Sequence, residues 1–535
     1  MDFVNAIEIL YFIRFSHIIL VNSVSNHVII KVFNLYLFVE SNMVQRSSGI
    51  FLPISSLPSK YGIGTFGKEA YEFVDFLCKA GQKYWQILPM GPVSFGDSPY
   101  SPFSVYAGNP YYIDLEMITD DGLISFKDSE ILLSGDKERI DYEMQFIYRY
   151  KILYKAFINA GNKYDNEIDE FKKMNKWVLD YAIFMSLKYK YDQKPWYKWD
   201  NQIANRNEKA INDVSYQLRN EISFWIFIQY IFHMQYFKLK EYANSKGISI
   251  IGDIPIYAAE DSSDVWCNKK VFIINEENTP LLIAGVPPDD FSDDGQLWGN
   301  PVFNWEFLRE TCYKWWVDRI EWSFKLYDVL RIDHFRGFDE FWAVKYGSEN
   351  AIDGKWMPAY GMELFGLIKE KNGKLSFIAE DLGIITESVI KLIKDTGFPG
   401  MKVLQFAFDG NPENPYLPEN FEKNSVAYTG THDNDTLKGW YLKLDMIKKQ
   451  YISKILKINE AEDEELVIDQ MISSLLKSKS SLCIVPLQDY LCLGSEARIN
   501  TPSTLGLNWR WRVKKEYLSN KIIEKIRKMT VESKR

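Results

Sequence analysis

Short apolar runs, each closing on charged residues, recur along the chain. Val329-Leu330-Arg331-Ile332 leads into Asp333-His334-Phe335-Arg336-Gly337, and Ser376-Phe377-Ile378 into Ala379-Glu380-Asp381-Leu382-Gly383. Ser425-Val426-Ala427-Tyr428 leads into Gly430-Thr431-His432-Asp433-Asn434-Asp435. Runs of this length and composition read as strands buried on both faces, the habit of parallel sheets. Carboxylates at the C-terminal ends of several such strands are how a parallel barrel assembles an active site. Five more runs read as strands: Lys83 to Pro89, Pro110 to Leu115, Gly247 to Pro255, Met401 to Phe408 and Ser481 to Leu487. The eight together predict an α/β chain built on a parallel barrel.

Between about residues 120 and 245 the pattern changes. Gly and Pro become rare and apolar residues fall at helical spacing, notably from Tyr142 to Ile158 and from Glu221 to Ala243. That is too much helix for one crossover, so the segment is expected to be an insertion. Trp315, Trp316 and Trp322 are helix-spaced and predict core packing. Leu518, Ile522, Ile523 and Ile526 predict a terminal helix packed on the body, although the tail around them is basic. No internal repeat or low-complexity linker interrupts the series.

The first forty residues stand apart. They are apolar but broken by Glu8, Arg14 and Lys31, too short between charges to span a membrane, and without the basic opening of a signal peptide. The reading is an atypical extension over residues 1–42, with translation expected to start at Met43 and one catalytic domain over 43–535.

Composition narrows the partners. Of the 535 residues, 46% are hydrophobic and 25% charged, which supports a large core. A net charge of −9 argues against nucleic acid and against anionic membrane as the main partner, and favours a neutral substrate. Aromatics reach 16%, most of them needed for the core, with a handful free to stack on a ligand. The five cysteines, Cys78, Cys267, Cys312, Cys483 and Cys492, are scattered and include no Cys-x-x-Cys pair. Neither a zinc site nor a disulfide framework is expected, and a reducing, cytoplasmic location follows.

The three strand-end carboxylates fit the cleavage of a glycosidic bond. One carboxylate attacks the anomeric carbon while a protonated partner donates to the departing oxygen. Asp333 suits the nucleophile, because Arg331 projects from the same strand face and holds it charged. Glu380 suits the acid, since it follows Phe377, Ile378 and Ala379, where burial raises a carboxyl, and Asp381 is expected to push the same way. Asp433 suits a third, orienting carboxylate, with His334 and His432 donating to sugar hydroxyls.

Two loops add candidates. Residues 284–301 carry Phe291 and Trp298, apolar faces for a sugar ring. Asp290, Ser292, Asp294 and Gly295 imitate the start of a calcium loop, but Pro301 stands where the closing Glu is required, so no metal is expected. Gly96-Asp97-Ser98-Pro99-Tyr100-Ser101-Pro102, with Tyr106 and Asn109, offers hydroxyls, Ser98 among them, and an aromatic ring, Tyr100, for hydrogen bonding and stacking on a carbohydrate.

These segments together resemble the amylomaltase (4-α-glucanotransferase) family of the α-amylase clan. Arg331 to Gly337, Ala379 to Gly383 and Thr431 to Thr436 are similar to its catalytic segments. Gly96 to Tyr100, Ala284 to Pro301 and Arg498-Ile499-Asn500-Thr501-Pro502 are more specific to it. The resemblance runs from about Ser47 to Trp511. It implies a (β/α)₈ TIM barrel with inserted, largely helical subdomains and a retaining mechanism without cofactor. Asp333 would be nucleophile, Glu380 acid and base, and Asp433 stabiliser. Asp253, Tyr100, Trp298, Asn300, Arg331, His334 and His432 would line the donor subsites, with Ser98, Phe291, Gln296 and Asn500 as further contacts. Its partners would be α-1,4-glucans and maltooligosaccharides, with glucose as an acceptor. Phe95, Asp290 and Ser503 depart from the family habit of Tyr, an aromatic and Gly. A simple α-1,4-glucan hydrolase and a non-catalytic glucan-binding protein remain open as alternatives.

Overall fold

The computed structural model describes residues 46–535 except 95, 289–291, 374, 384 and 458–462. The expectations for residues 1–42 and Met43, and for Phe291, Phe95 and Asp290, lie outside the described residues. Among the described residues are twelve strands: β1 (Ser47–Phe51), β2 (Tyr84–Gln86), β3 (Ser249–Ile254), β4 (Leu282–Val286), β5 (Gln296–Pro301) and β6 (Val329–Ile332), followed by β7 (Glu340–Lys345), β8 (Gly354–Pro358), β9 (Phe377–Ala379), β10 (Gly400–Val403), β11 (Ser425–Tyr428) and β12 (Leu482–Pro486). Eight of them close a parallel barrel in the order β1-β12-β11-β10-β9-β6-β3-β2. The chain is thus an α/β (β/α)₈ barrel.

Barrel strands are short and almost wholly buried, β1, β6, β11 and β12 without exception. Closure leaves no edge, so every strand finds two partners. The register sets Asp253 of β3 opposite Arg331 of β6, and Ile332 of β6 opposite Ala379 of β9. Gly252 is required beside them, because a Cβ there would lie 2.1 Å from the Tyr327 ring.

Two expectations are corrected here. Pro110 to Leu115 is not a strand. Asn109 accepts the Tyr111 N–H and Pro110 starts a 3₁₀ turn, after which Asp114 caps the helix Leu115–Asp120 by accepting the Met117 N–H. The eighth barrel strand is instead β1, five residues long. Residues 284–301 are not simply a loop either. β4 and β5 form an antiparallel hairpin in a separate four-stranded sheet ordered β5-β4-β7-β8.

From Leu115 to Ser245 the chain is helical, ending in the helix Arg219–Ser245. The last turns of that helix serve as the crossover onto β3: Tyr236 donates to the Leu326 carbonyl, and Asn244 to that of Ile248. Trp315, Trp316 and Trp322 are buried as expected. So is one face of the terminal helix Asn520–Glu532, through Ile522 and Ile526. Arg535, beyond it, donates to the carbonyls of Ser47, Leu476, Ser478, Ser480 and Ser481 at the base of the barrel. Among the described residues no helix is long and apolar enough to cross a membrane.

Candidate active site

The site begins with a cross-strand ion pair. Arg331 Nη1 lies 2.8 and 2.7 Å from the two carboxylate oxygens of Asp253, both residues being nearly fully buried. Residues two apart on a strand share a face, and the same nitrogen reaches Asp333 Oδ1 at 3.1 Å. His334 then turns the chain through the left-handed region, with φ of 48°. That turn aims its backbone N–H at Glu380 Oε2, 2.6 Å away, while the Leu382 N–H donates to Oε1 at 2.8 Å.

A second chain of contacts runs through Asp433. Asn500 donates to its Oδ1 at 2.6 Å, and His432 Nε2 lies 3.3 Å from its Oδ2. The other ring nitrogen of His432 is 3.2 Å from the Tyr100 hydroxyl, which donates to Asp253 Oδ2 at 2.8 Å. Tyr100 also stacks on His432, with centroids 4.8 Å apart. Asp253, Arg331, Asp333, Tyr100, His432, Asp433 and Asn500 therefore form one connected network drawn from five segments of the chain.

Burial grades the carboxyls. It pushes Glu380 up to about 7, opposed by Arg331 and the two backbone N–H groups and reinforced by the Asp333 charge. Burial likewise pushes Asp333 up to about 6, against the pull of Arg331 and His432 and with help from Asp253 and Asp433. For Asp433 burial is outweighed by the His432 ring and the Asn500 amide, which hold it down at about 2. His432 is raised: burial opposes its charge, but Asp433 prevails. His334 falls to about 4 through burial and the nearby Arg336. At pH 7 Asp433 is ionised, while burial lifts both Asp333 and Glu380 toward the neutral form.

Two details differ from expectation. Arg331 does not by itself set the charge of Asp333, since burial wins by raising it. Asp381 turns away to accept the Met401 N–H, and the carboxylate that presses on Glu380 is Asp333.

The remaining candidates fall around this network. Trp298, on β5, meets the His334 ring edge-on at 4.7 Å, and its indole N–H points toward Gln296 Oε1 at 3.4 Å. Asn300 is anchored by a 2.9 Å bond to the Ala258 carbonyl. Ser98 accepts the Tyr100 N–H in a tight turn where Gly96 and Asp97 both have positive φ. Ser503, where Gly is the family habit, also has positive φ, at 61°.

Two contributors were not singled out from the sequence. Arg498 donates to the backbone carbonyls of Asp433 and Asn500, fixing the segment that carries Asp433. Trp509 packs against both Tyr100 and His432. Arg498 stood inside a family-specific motif and could have been named; for Trp509 no local signal existed. Among the described residues no group of three or more His, Cys, Asp or Glu side chains is arranged to hold a metal.

A barrel rim carrying several buried carboxyls is the kind of arrangement found in enzymes of paired carboxyl chemistry, glycoside-cleaving ones among them. Residues 52–518 match the sequence profile described as 4-alpha-glucanotransferase. A 4-alpha-glucanotransferase of Clostridium butyricum is 50% identical over 480 residues, covering 89% of this chain and 98% of that protein. One from Thermus thermophilus is 42% identical over 478 residues, 88% of this chain and 95% of its own. The solved amylomaltase from Streptococcus agalactiae in complex with acarbose superimposes with a TM-score of 0.90 at 42% identity, covering 92% of this chain and 100% of that one. The chain belongs to the 4-alpha-glucanotransferase family, and 4-alpha-glucan transfer is its activity.

Proposed function

We propose that Asp333 is the nucleophile, Glu380 the acid and base, and Asp433 the orienting carboxylate of a retaining transfer between α-1,4-glucans. The observation that carries this reading is geometric: Asp333 Oδ1 lies 3.1 Å from the buried Arg331, which favours its ionised form, while Glu380 stands at the end of the neighbouring strand β9, where burial raises its carboxyl. Asp333 attacks the anomeric carbon, and the glycosidic bond breaks with its electrons passing to the departing oxygen. That oxygen takes the proton of Glu380, leaving a glycosyl ester on Asp333. The 4-hydroxyl of glucose or another glucan then attacks the same carbon, giving its proton to Glu380 as the ester bond breaks. Both groups return to their starting state.

Asp433, ionised and held by Asn500 and His432, is suited to bind a pair of hydroxyls on the reacting ring. Tyr100, stacked on His432, and Trp298, edge-on to His334, are aromatic rings of the site, and His334, His432, Asn300 and Asp253 offer polar contacts. The β4–β5 hairpin, which presents Trp298 and Gln296, is the segment suited to keeping water from the ester so that a sugar resolves it.

The test is incubation with maltotriose, resolving products by chain length over time. A ladder of longer maltooligosaccharides with glucose, abolished by Asp333→Asn, is expected. Maltose and glucose alone would make hydrolysis the dominant outcome, and unchanged ladder formation in Asp333→Asn would remove the nucleophile assignment.

A further inference from the structure

Asp489 is a buried carboxyl that takes no part in the chemistry described above. It is 1% exposed and stands just beyond β12, in the short helix Leu487–Tyr490. Among the described residues no cation is a main influence on it: burial pushes it up to about 6, two hydrogen bonds oppose the rise, and the Asp435 charge adds to it. Taking a carboxyl out of water without a counter-charge costs stability, and such groups gather at functional sites.

Its two oxygens hold the two ends of one loop. Oδ2 accepts the Thr429 hydroxyl at 2.5 Å, and Oδ1 accepts the Leu437 N–H at 2.7 Å. Between those residues the chain runs from Gly430 to Thr436 and carries His432 and Asp433. The loop leaves β11, whose neighbours in the barrel are β10 and β12. Each neighbour sends a side chain to the base of the loop. From the turn after β10, Gln405 donates to the Asp435 carbonyl at 2.8 Å, so close that a Cβ on Gly430 would lie 2.8 Å from its amide nitrogen. From beyond β12 comes Asp489.

Inside the loop Asn434 Oδ1 accepts both the N–H and the hydroxyl of Thr431, at 2.8 and 2.9 Å. A loop braced in this way moves as a unit, and its direction is decided where its ends are held. Its far side meets Asn500, whose backbone N–H donates to the His432 carbonyl at 3.1 Å and whose amide donates to Asp433. Asn500 and Asp489 lie on the same stretch of chain after β12, drawn together where Gln488 donates to the Ala497 carbonyl at 3.2 Å. Asp489 thus fixes the Asp433 loop against the segment that supplies its partner.

We infer that Asp489 is a positioning residue for transfer, acting through Asp433 by clamping both ends of the loop that carries it. That Asp433 matters to transfer rests on the proposed function; that Asp489 places it rests on the contacts above alone.

The experiment measures transfer from maltotriose by Asp489→Ala, Asp433→Asn and the double variant, with Asp433 titrated by NMR in wild-type and Asp489→Ala protein. Asp489→Ala is expected to lower kcat by about tenfold or more and to change KM less, because a shift of ~1 Å at a working group costs about 10²-fold. In the Asp433→Asn background the same change should cost about threefold or less, since the two residues act as one. Asp433 should titrate above its wild-type value of about 2, its contact with Asn500 having loosened. An unchanged kcat in folded Asp489→Ala protein, a loss of full size in the Asp433→Asn background, or an unmoved Asp433 titration overturns the inference. Thr429→Val, which removes one of the two bonds at nearly the same shape, takes the place of Asp489→Ala should that variant show no cooperative melting. Unaltered transfer in Asp433→Asn would refute the orienting role of Asp433 instead. In that case, or where Asp433→Asn leaves no transfer to compare, the titration alone decides for Asp489.

Discussion

Replacing Asp253 by Asn should move one limb of the pH–rate profile and leave the other in place. Asp253 Oδ2 and Asp333 Oδ1 both bind Arg331 Nη1, at 2.7 and 3.1 Å. The two oxygens are therefore no more than about 6 Å apart. Two charges at about 6 Å in an effective dielectric of ~20 repel by about 3 kcal/mol, or roughly two pH units. Asp253→Asn removes that repulsion, so ionisation of Asp333 becomes easier and falls from about 6 toward roughly 4. Transfer requires Asp333 ionised, so the acidic limb of kcat/KM moves to lower pH. Glu380 owes its elevation to burial and to Asp333, with Asp253 not among the main influences, so the basic limb stays near 7. The bell widens on its acidic side only.

Asn keeps an acceptor for the Tyr100 hydroxyl, and Arg331 keeps Asp333. Breaking one member of a buried ion pair nonetheless costs up to about 3–5 kcal/mol, so each rate is paired with a melting curve at the same pH. The assay is initial transfer from maltotriose across roughly pH 4 to 9. An acidic limb that stays near 6 in folded Asp253→Asn protein would refute the electrostatic argument. An equal shift of both limbs would refute the separate roles given to Asp333 and Glu380.

Other outcomes follow from the same geometry. Glu380→Gln should lower transfer by about 10²–10⁴ without raising the melting temperature, because its amide NH₂ must face one of the two backbone N–H groups now bound by the carboxylate; residual activity above a tenth of wild type would contradict the acid role. Asn500→Ala removes the shortest contact of Asp433, so its carboxyl should rise from about 2 and kcat fall about tenfold or more; an unchanged kcat would place Asn500 outside the working site. Asp433 gains its partners on folding and is held low, so its stabilisation is complete above the ordinary Asp range and is lost as pH falls through about 2; titration of Asp433 by NMR should find it still ionised at pH 3, and an ordinary value would refute this. Arg535→Ala should lower unfolding stability by about 2 kcal/mol, since Arg46 shares some of the same carbonyls, and leave kcat untouched; loss of activity in folded protein would show that the barrel base reaches the site.

Much of the barrel was legible. β6, β9 and β11 stand out because a strand buried on both faces must be apolar throughout, and charge can enter only where the strand ends. β1 was passed over because it is five residues long and follows an apolar stretch of a different kind. Pro110 to Leu115 misled because its apolar residues are buried without being extended, Asn109 and Asp114 having claimed its backbone for turns and caps. β7 and β8 were invisible as a sheet, since the half-exposed Gly354–Pro358 carries no clean alternation. The roles proposed for Asp333, Glu380 and Asp433 rest on residue type and on strand-end positions that the sequence displays.

What the sequence determined on its own is local: which segments are apolar enough to be strands, which helices have one buried face, and which carboxylates stand at strand ends. The tertiary structure decided what meets what. Barrel closure and register pair Asp253 with Arg331 across 78 residues, and Tyr100 with His432 across 332. Burial by side chains from distant segments lifts Glu380 and Asp333 while leaving Asp433 low. Strand propensity is a property of near neighbours in the chain. Proton affinity is a sum over neighbours in space, and those neighbours exist only once the barrel has closed.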